Sequence, residues 1–155
     1  MKCDINKWRD TMIYTKLTKK ALKLCFEKHK DQVDKTGLPY VFHPFHLAEQ
    51  MDDEVSTICA LLHDVVEDTN TTFEDLENLG FPKEVIDVLK LLTHSENVPY
   101  MDYVKNLSQN KTAVKVKMAD LKHNSDLTRL DVIDEYAVKR SEKYKEALAY
   151  LENLK

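Results

Sequence analysis

The chain has 155 residues, 43% of them hydrophobic and 32% charged, with a formal net charge of −4. A length of this order supports one domain with a sizeable core, and the acidic balance argues against a general nucleic-acid binder. Two glycines and four prolines leave little material for the tight turns of an all-β fold; no apolar run reaches the roughly 20 residues of a membrane span.

In chain order, MKCDINKWRD lacks the apolar stretch of a signal peptide, and Trp8 is expected to anchor the N-terminus on the core. LTKKALKLCFEKHKDQV sets Leu17, Ala21, Leu24 and Cys25 at helical spacing. Gly37 and Pro39 break that pattern, and Pro44 is expected to open a short helix, PFHLAEQM. DEVSTICALLHDVVED is the strongest helical pattern, with Val55, Ile58, Leu62 and Val65 in register and acids near its start. Thr71 to Glu74 has capping-box spacing, and Gly80 fits a helix stop. Pro82 opens PKEVIDVLKLLTH, and Pro99 opens PYMDYVKNLSQN. TAVKVKMADLKHN alternates at its start like a strand, but Met118, Ala119 and Leu121 continue without a turn, so helix is expected. DEYAVKRSEKYKEALAYLENL reads as a long amphipathic helix. No repeat or linker interrupts the chain. The expected fold is all-α, a single compact domain over residues 1–155. The three cysteines, Cys3, Cys25 and Cys59, have no paired spacing and read as free thiols of a reducing cytoplasm.

The stretch ALLHDVVEDT poses the chemical question, because an aliphatic helix ends in His63, Asp64, Glu67 and Asp68. Unpaired buried charge is costly. On one continuous helix His63 and Asp64 lie about 100° apart, with Glu67 one turn beyond His63 and Asp68 one turn beyond Asp64. A divalent metal accounts for imidazole and carboxylate side by side, and Mn²⁺, Fe²⁺ and Zn²⁺ all suit that mixture. Alone, the pair fits a solvated helix end, with His63 bonded to a backbone carbonyl, better than it fits a metal site. It is accompanied by His43 upstream in GLPYVFHPFHLAEQM and by Asp120 and Asn124, one turn apart, in VKMADLKHN.

The order His, then His-Asp, then Asp resembles the HD superfamily of metal-dependent phosphohydrolases. HKDQVDKTGLPYVFHP, LLHDVVEDT and VKMADLKHN together resemble the hydrolase domain of the RelA/SpoT alarmone enzymes and the small alarmone hydrolases, from about Leu17 to Leu151. The resemblance implies one divalent ion, most often manganese, on His43, His63, Asp64 and Asp120. It implies that Glu67 and Asp68 orient and deprotonate the attacking water. It places Asn124 near the sugar and phosphate, and KRSEKY, like the family's Arg-x-x-x-Tyr segment, places Arg140 on a phosphate and Tyr144 on the nucleotide. The implied reaction removes the 3′-pyrophosphate from guanosine 3′,5′-bis-pyrophosphate. The implied partner is a small nucleotide, with neither nucleic acid nor membrane involved.

Two departures bear on the substrate. Asp34 stands where the family carries Arg or Lys, leaving Lys35 to serve the pocket; as a free charge, Asp34 would repel a polyphosphate. The loop NSDLTRL lacks a basic residue of the family pattern, for which Lys122 and Arg129 are the available substitutes. These departures keep open a nucleotidase acting on another nucleotide, and a sensing module that binds without turnover. His29, His46, His94 and His123 read as residues around the site or on the surface, and the Lys28, Lys30, Lys35 cluster as a phosphate-attracting rim or a solvated face.

Overall fold

The computed structural model describes residues 11–154, and Cys3 and Trp8 lie outside them. Among the described residues the regular elements are helical: α1 (Lys16–His29), α2 (Phe42–Glu49), α3 (Glu54–Leu62), α4 (Val65–Asp68), α5 (Phe73–Asn78), α6 (Lys83–Leu92), α7 (Tyr100–Leu107), α8 (Lys111–Ser125), a 3₁₀ turn (Leu127–Arg129) and α9 (Glu135–Glu152). The only extended pairing among them is a bridge between Val33 and Pro39, and no described helix is long and apolar enough to cross a membrane.

Local chemistry accounts for most boundaries. Thr15 caps α1 reciprocally with Thr18: its hydroxyl accepts from the Thr18 N–H at 3.1 Å, and the Thr18 hydroxyl accepts from the Thr15 N–H at 2.7 Å. The expected capping box before α5 falls one residue later, on Thr72 and Asp75. Gly80, at φ +88°, stops α5. Its N–H reaches the Glu77 carbonyl and the Phe81 N–H reaches Leu76, the paired closure that a left-handed glycine permits. Pro82 and Pro99 stand directly before α6 and α7.

Two boundaries depart from expectation. Helix α2 starts at Phe42, so Pro44 lies inside the first turn, where its missing N–H has no partner to lose. That places His43 on the helix rather than ahead of it. The run from Glu54 to Asp68 is not one helix: α3 ends at Leu62, and Asp64, at φ −100° and ψ −3°, turns the chain into the short α4. The bend is small enough for the Asp68 N–H still to reach the Asp64 carbonyl.

Helix α3 is the central element. Ile58, Cys59, Ala60, Leu61 and Leu62 are fully buried, and α1, α2, α6 and α8 pack around it. A helix apolar on all sides belongs in the middle of a core; truncating Leu61 to alanine there costs about 2–5 kcal/mol. The alternation at the start of α8 also has a tertiary cause. Lys115 reaches Asp53 at 3.0 Å and also pairs with Asp52, while Lys117 turns inward to Asp120 at 2.8 Å. Helix α9 lies along α8, burying Ser141, Ala147 and Leu151.

Candidate metal centre

The central position of α3 delivers its polar end to the point where α2 and α8 converge. One ring nitrogen each from His43 and His63 and one oxygen of Asp120 lie within 4.8 Å of one another, and all three residues are buried. His63 Nδ1 lies 2.7 Å from the Ala60 carbonyl oxygen. A carbonyl only accepts, so Nδ1 carries a proton and Nε2 is the ring nitrogen that faces the cluster. That Nε2 is buried and makes no hydrogen bond, although Asp64 Oδ2 lies 2.9 Å and Asp120 Oδ1 3.7 Å away. A ring nitrogen facing two carboxylates calls for positive charge between them, which a proton on the ring or a bound cation supplies, and imidazole with carboxylate is a donor set for a divalent transition metal.

The surroundings hold these groups in place. His43 Nε2 is 3.1 Å from Asp120 Oδ1 and 3.9 Å from Asp64 Oδ2. Its Nδ1 is 2.6 Å from Nδ1 of His123, whose ring stacks on it at 4.8 Å. Partial burial, then the neighbouring His43 and Arg129, lower the His123 pKa to about 4, which keeps it neutral as the acceptor. Asp120 Oδ1 accepts from the Asn124 amide at 2.6 Å, and Oδ2 accepts from the Lys117 ammonium at 2.8 Å. Asp64 Oδ2 accepts from the Tyr40 hydroxyl. Burial opposes the ionised form of Asp120, but Lys117 and the two histidines outweigh it and hold the carboxyl well below its usual range. Burial likewise opposes the His63 imidazolium, and Asp64 and Asp120 outweigh it, raising its pKa well above the histidine range. The cluster therefore favours positive charge strongly.

The cluster lies in a cavity of about 620 Å³, and every residue assigned to catalysis, metal or substrate on sequence grounds lines it: Lys35, His43, His63, Asp64, Glu67, Asp68, Asp120, Asn124, Arg140 and Tyr144. Glu67 and Asp68 stand on α4, beyond the bend. Partial burial and then the Asp64 charge raise the pKa of both, which makes them better proton acceptors than free carboxylates. Basic residues from elsewhere in the fold also line the cavity: Lys35 from the loop after α1, Arg129 from the 3₁₀ turn, and Arg140 and Lys143 from α9.

Asp34 is not a free charge. Its carboxylate accepts from the Thr36 N–H at 2.8 Å and the Leu38 N–H at 3.2 Å, and its Oδ2 meets Arg129 Nη2 at 3.0 Å. Of the two proposed substitutes in the following loop, Arg129 reaches the cavity, whereas Lys122 points to Glu152, 3.9 Å away. His29 is fully buried beside Tyr40, with ring centroids 5.0 Å apart and Nδ1 2.8 Å from the Gln32 amide oxygen. His94 lines the cavity but directs Nε2 to the Val98 carbonyl at 2.7 Å. Lys30 pairs with Glu27 at the surface.

Sequence reasoning gave no role to Lys117, Tyr100, Tyr103 or Lys143, all of which line the cavity. The spacing of Lys117, three residues before Asp120 on α8, was the available signal for the first. The tyrosines and Lys143 follow ordinary amphipathic patterns, which carry no such signal.

A fold that gathers His, His-Asp and Asp from three helices at one buried point has the architecture of an HD domain. The chain matches the HD domain family over residues 21–123 and belongs to it. It is 36% identical over 125 residues to the guanosine-3′,5′-bis(diphosphate) 3′-pyrophosphohydrolase MESH1 of Xenopus tropicalis, covering 70% of this chain and 68% of that protein. To the bifunctional (p)ppGpp synthase/hydrolase SpoT of Escherichia coli K12 it is 29% identical; it spans 70% of this chain but 18% of that longer protein. Among solved structures it is similar to a metazoan ortholog of SpoT described as hydrolysing ppGpp. The TM-score is 0.75 at 23% identity, over 92% of this chain and 89% of that one, a likeness that shows the shared fold.

Proposed function

We propose that the protein is a metal-dependent phosphohydrolase that removes the 3′-pyrophosphate from guanosine 3′,5′-bis-pyrophosphate. Its resident ion is manganese, and His43, His63, Asp64 and Asp120 hold it. When bound, such an ion lowers the pKa of a water molecule and polarises a phosphoryl oxygen. Glu67 and Asp68 would orient the attacking water and take its proton, and their raised pKa values suit the task. The water oxygen bonds to the phosphorus carried on the 3′-oxygen, the P–O3′ bond breaks, and the 3′-oxygen leaves with a proton as pyrophosphate is released. Lys35 and Arg140 receive the negative charge of the nucleotide, Asn124 its sugar and phosphate, and Tyr144 its base. The buried free thiols of Cys25 and Cys59 fit a reducing compartment such as the cytoplasm.

The observation that carries this reading is the division of the cavity. The histidines and acids gather around one point, while basic side chains from three other segments face the same space. Such a cavity suits a ligand whose several phosphates approach a single reactive centre. Asp34, the residue that spoke for a nucleotide with fewer phosphates, is paired with Arg129 and adds no free negative charge. The test is a screen of nucleotides with Mn²⁺, measuring phosphate and pyrophosphate release separately. Pyrophosphate release from the bis-pyrophosphate is expected. Phosphate release from a monophosphate in preference would move the assignment to a nucleotidase, and binding without turnover would make it a sensor.

A further inference from the structure

Two of the basic side chains that line the cavity are committed to carboxylates, Lys117 to Asp120 and Arg129 to Asp34. Lys143 has no carboxylate partner among the described residues. Its ammonium lies 4.7 Å from the centroid of the Tyr100 ring and 5.0 Å from that of Tyr144. Tyr100 opens α7, so this contact joins two helices at the cavity wall. The Tyr100 hydroxyl is buried and has no hydrogen-bond partner among the described residues. Buried hydroxyls without partners are unfavourable and uncommon. Burial pushes the phenol up to about 12 against the opposing pull of the Lys117 ammonium beside it, so the hydroxyl stays neutral and its hydrogen is free to be donated. The same ring lies 5.8 Å from the Lys117 ammonium, which holds Asp120, and this sets Tyr100 beside the metal centre.

We propose that Tyr100 and Lys143 form a subsite for the second phosphate of a pyrophosphoryl group whose first phosphate sits at the His43–His63–Asp120 cluster. The inference rests on the proposed hydrolase function and names what would make the site select a pyrophosphoryl over a phosphoryl group. The chemistry points to an anion rather than a base. Ammonium groups stand near the ring of Tyr100, a position that a stacked base would need. What remains is a hydroxyl donor and a cation. A phosphate offers only acceptor oxygens and negative charge to match them.

The test titrates inorganic pyrophosphate and orthophosphate into the manganese-loaded protein by calorimetry, in wild type, Tyr100→Phe, Lys143→Met and Lys143→Arg. Lys143 is exposed and Tyr100→Phe removes one oxygen, so these variants are expected to fold. Tyr100→Phe and Lys143→Met should each reduce the preference for pyrophosphate over orthophosphate about tenfold, the scale of one charge-assisted hydrogen bond. Lys143→Arg should retain most of it. With nucleotides, the ratio of kcat/KM for a 3′-pyrophosphate over a 3′-monophosphate should fall by a similar factor. An unchanged preference in both Tyr100→Phe and Lys143→Met overturns the subsite. If wild type turns over no bis-pyrophosphate, the proposed function fails separately, and the pyrophosphate titration still decides the subsite.

Discussion

The Asp34–Arg129 pair joins residues 95 positions apart and can be tested by separating its two tasks. Asp34 closes its own turn by accepting from the Thr36 and Leu38 N–H groups, and it holds Arg129 against the cavity. Arg129 is fixed at its other end by the His123 carbonyl, 2.9 Å from Nη1. The paired side chains are only 13% and 24% exposed, so their coupling should exceed that of a surface pair. Asp34→Asn keeps an acceptor for the turn and removes the charge; it should cost about 1–2 kcal/mol, the range of a hydrogen bond to a charged partner. Asp34→Ala loses the turn acceptor as well and should cost about 2–4 kcal/mol. For a chain of this length each kcal/mol lowers Tm by about 2–4 °C. Asp34→Arg sets two guanidinium groups against each other; it should destabilise the protein and leave polyphosphate binding no tighter. The assay is denaturant unfolding of Asp34→Asn, Arg129→Ala and the double variant. Additive losses in that cycle would mean that the pair contributes nothing and that the assigned role of Asp34 is wrong.

Removing the metal should lower stability, because the ion binds the folded site: at a hundredfold excess over Kd the linkage is about 2.7 kcal/mol, or about 5–10 °C in Tm. Chelator should produce that shift in wild type and little in His63→Ala; an equal shift in both would remove His63 from the ligand set. Glu67→Gln should lower turnover about 10²- to 10⁴-fold while metal content, read by elemental analysis, stays the same; turnover like wild type would free Glu67 of any role as base. Asp53 caps α3 through the Ser56 N–H at 2.8 Å. Burial opposes its ionisation, but Ser56 and Lys115 lower its pKa to about 2. Because the folded value lies below the unfolded one of about 3.9, its contribution is full above pH 4 and is lost as pH falls toward 2. Asp53→Ala should cost about 0.5–2 kcal/mol at neutral pH and flatten stability between pH 4 and 2; an unchanged acid slope would contradict the assignment.

Much of the fold was legible because its signals are local. Helix spacing, the prolines before α6 and α7 and the glycine after α5 act within a few residues, so sequence order alone carries them. The same holds for Asp120 and Asn124, one turn apart on α8. The histidines and acids of the candidate metal centre were legible as residue types in a recurring order, but their convergence was not. The bend at Asp64 interrupts a pattern that periodicity reads as continuous, because apolar spacing records which faces are buried and not where the axis turns.

What only the tertiary structure decided is how charge is shared. Lys117 looks like one more exposed lysine of an alternating stretch; its spacing to Asp120 is local, but the packing of α8 on α3 and α6 is what buries the pair. Asp34 reads as a repulsive charge until the 3₁₀ turn brings Arg129 to it. His123 reads as a surface residue until α2 sets His43 against its ring. The sequence by itself determined the helices and the set of groups able to bind a metal. Which of those groups are paired, and which remain free to meet a ligand, depended on contacts between residues far apart in the chain, where no local preference operates and packing of the helices around α3 is the deciding force.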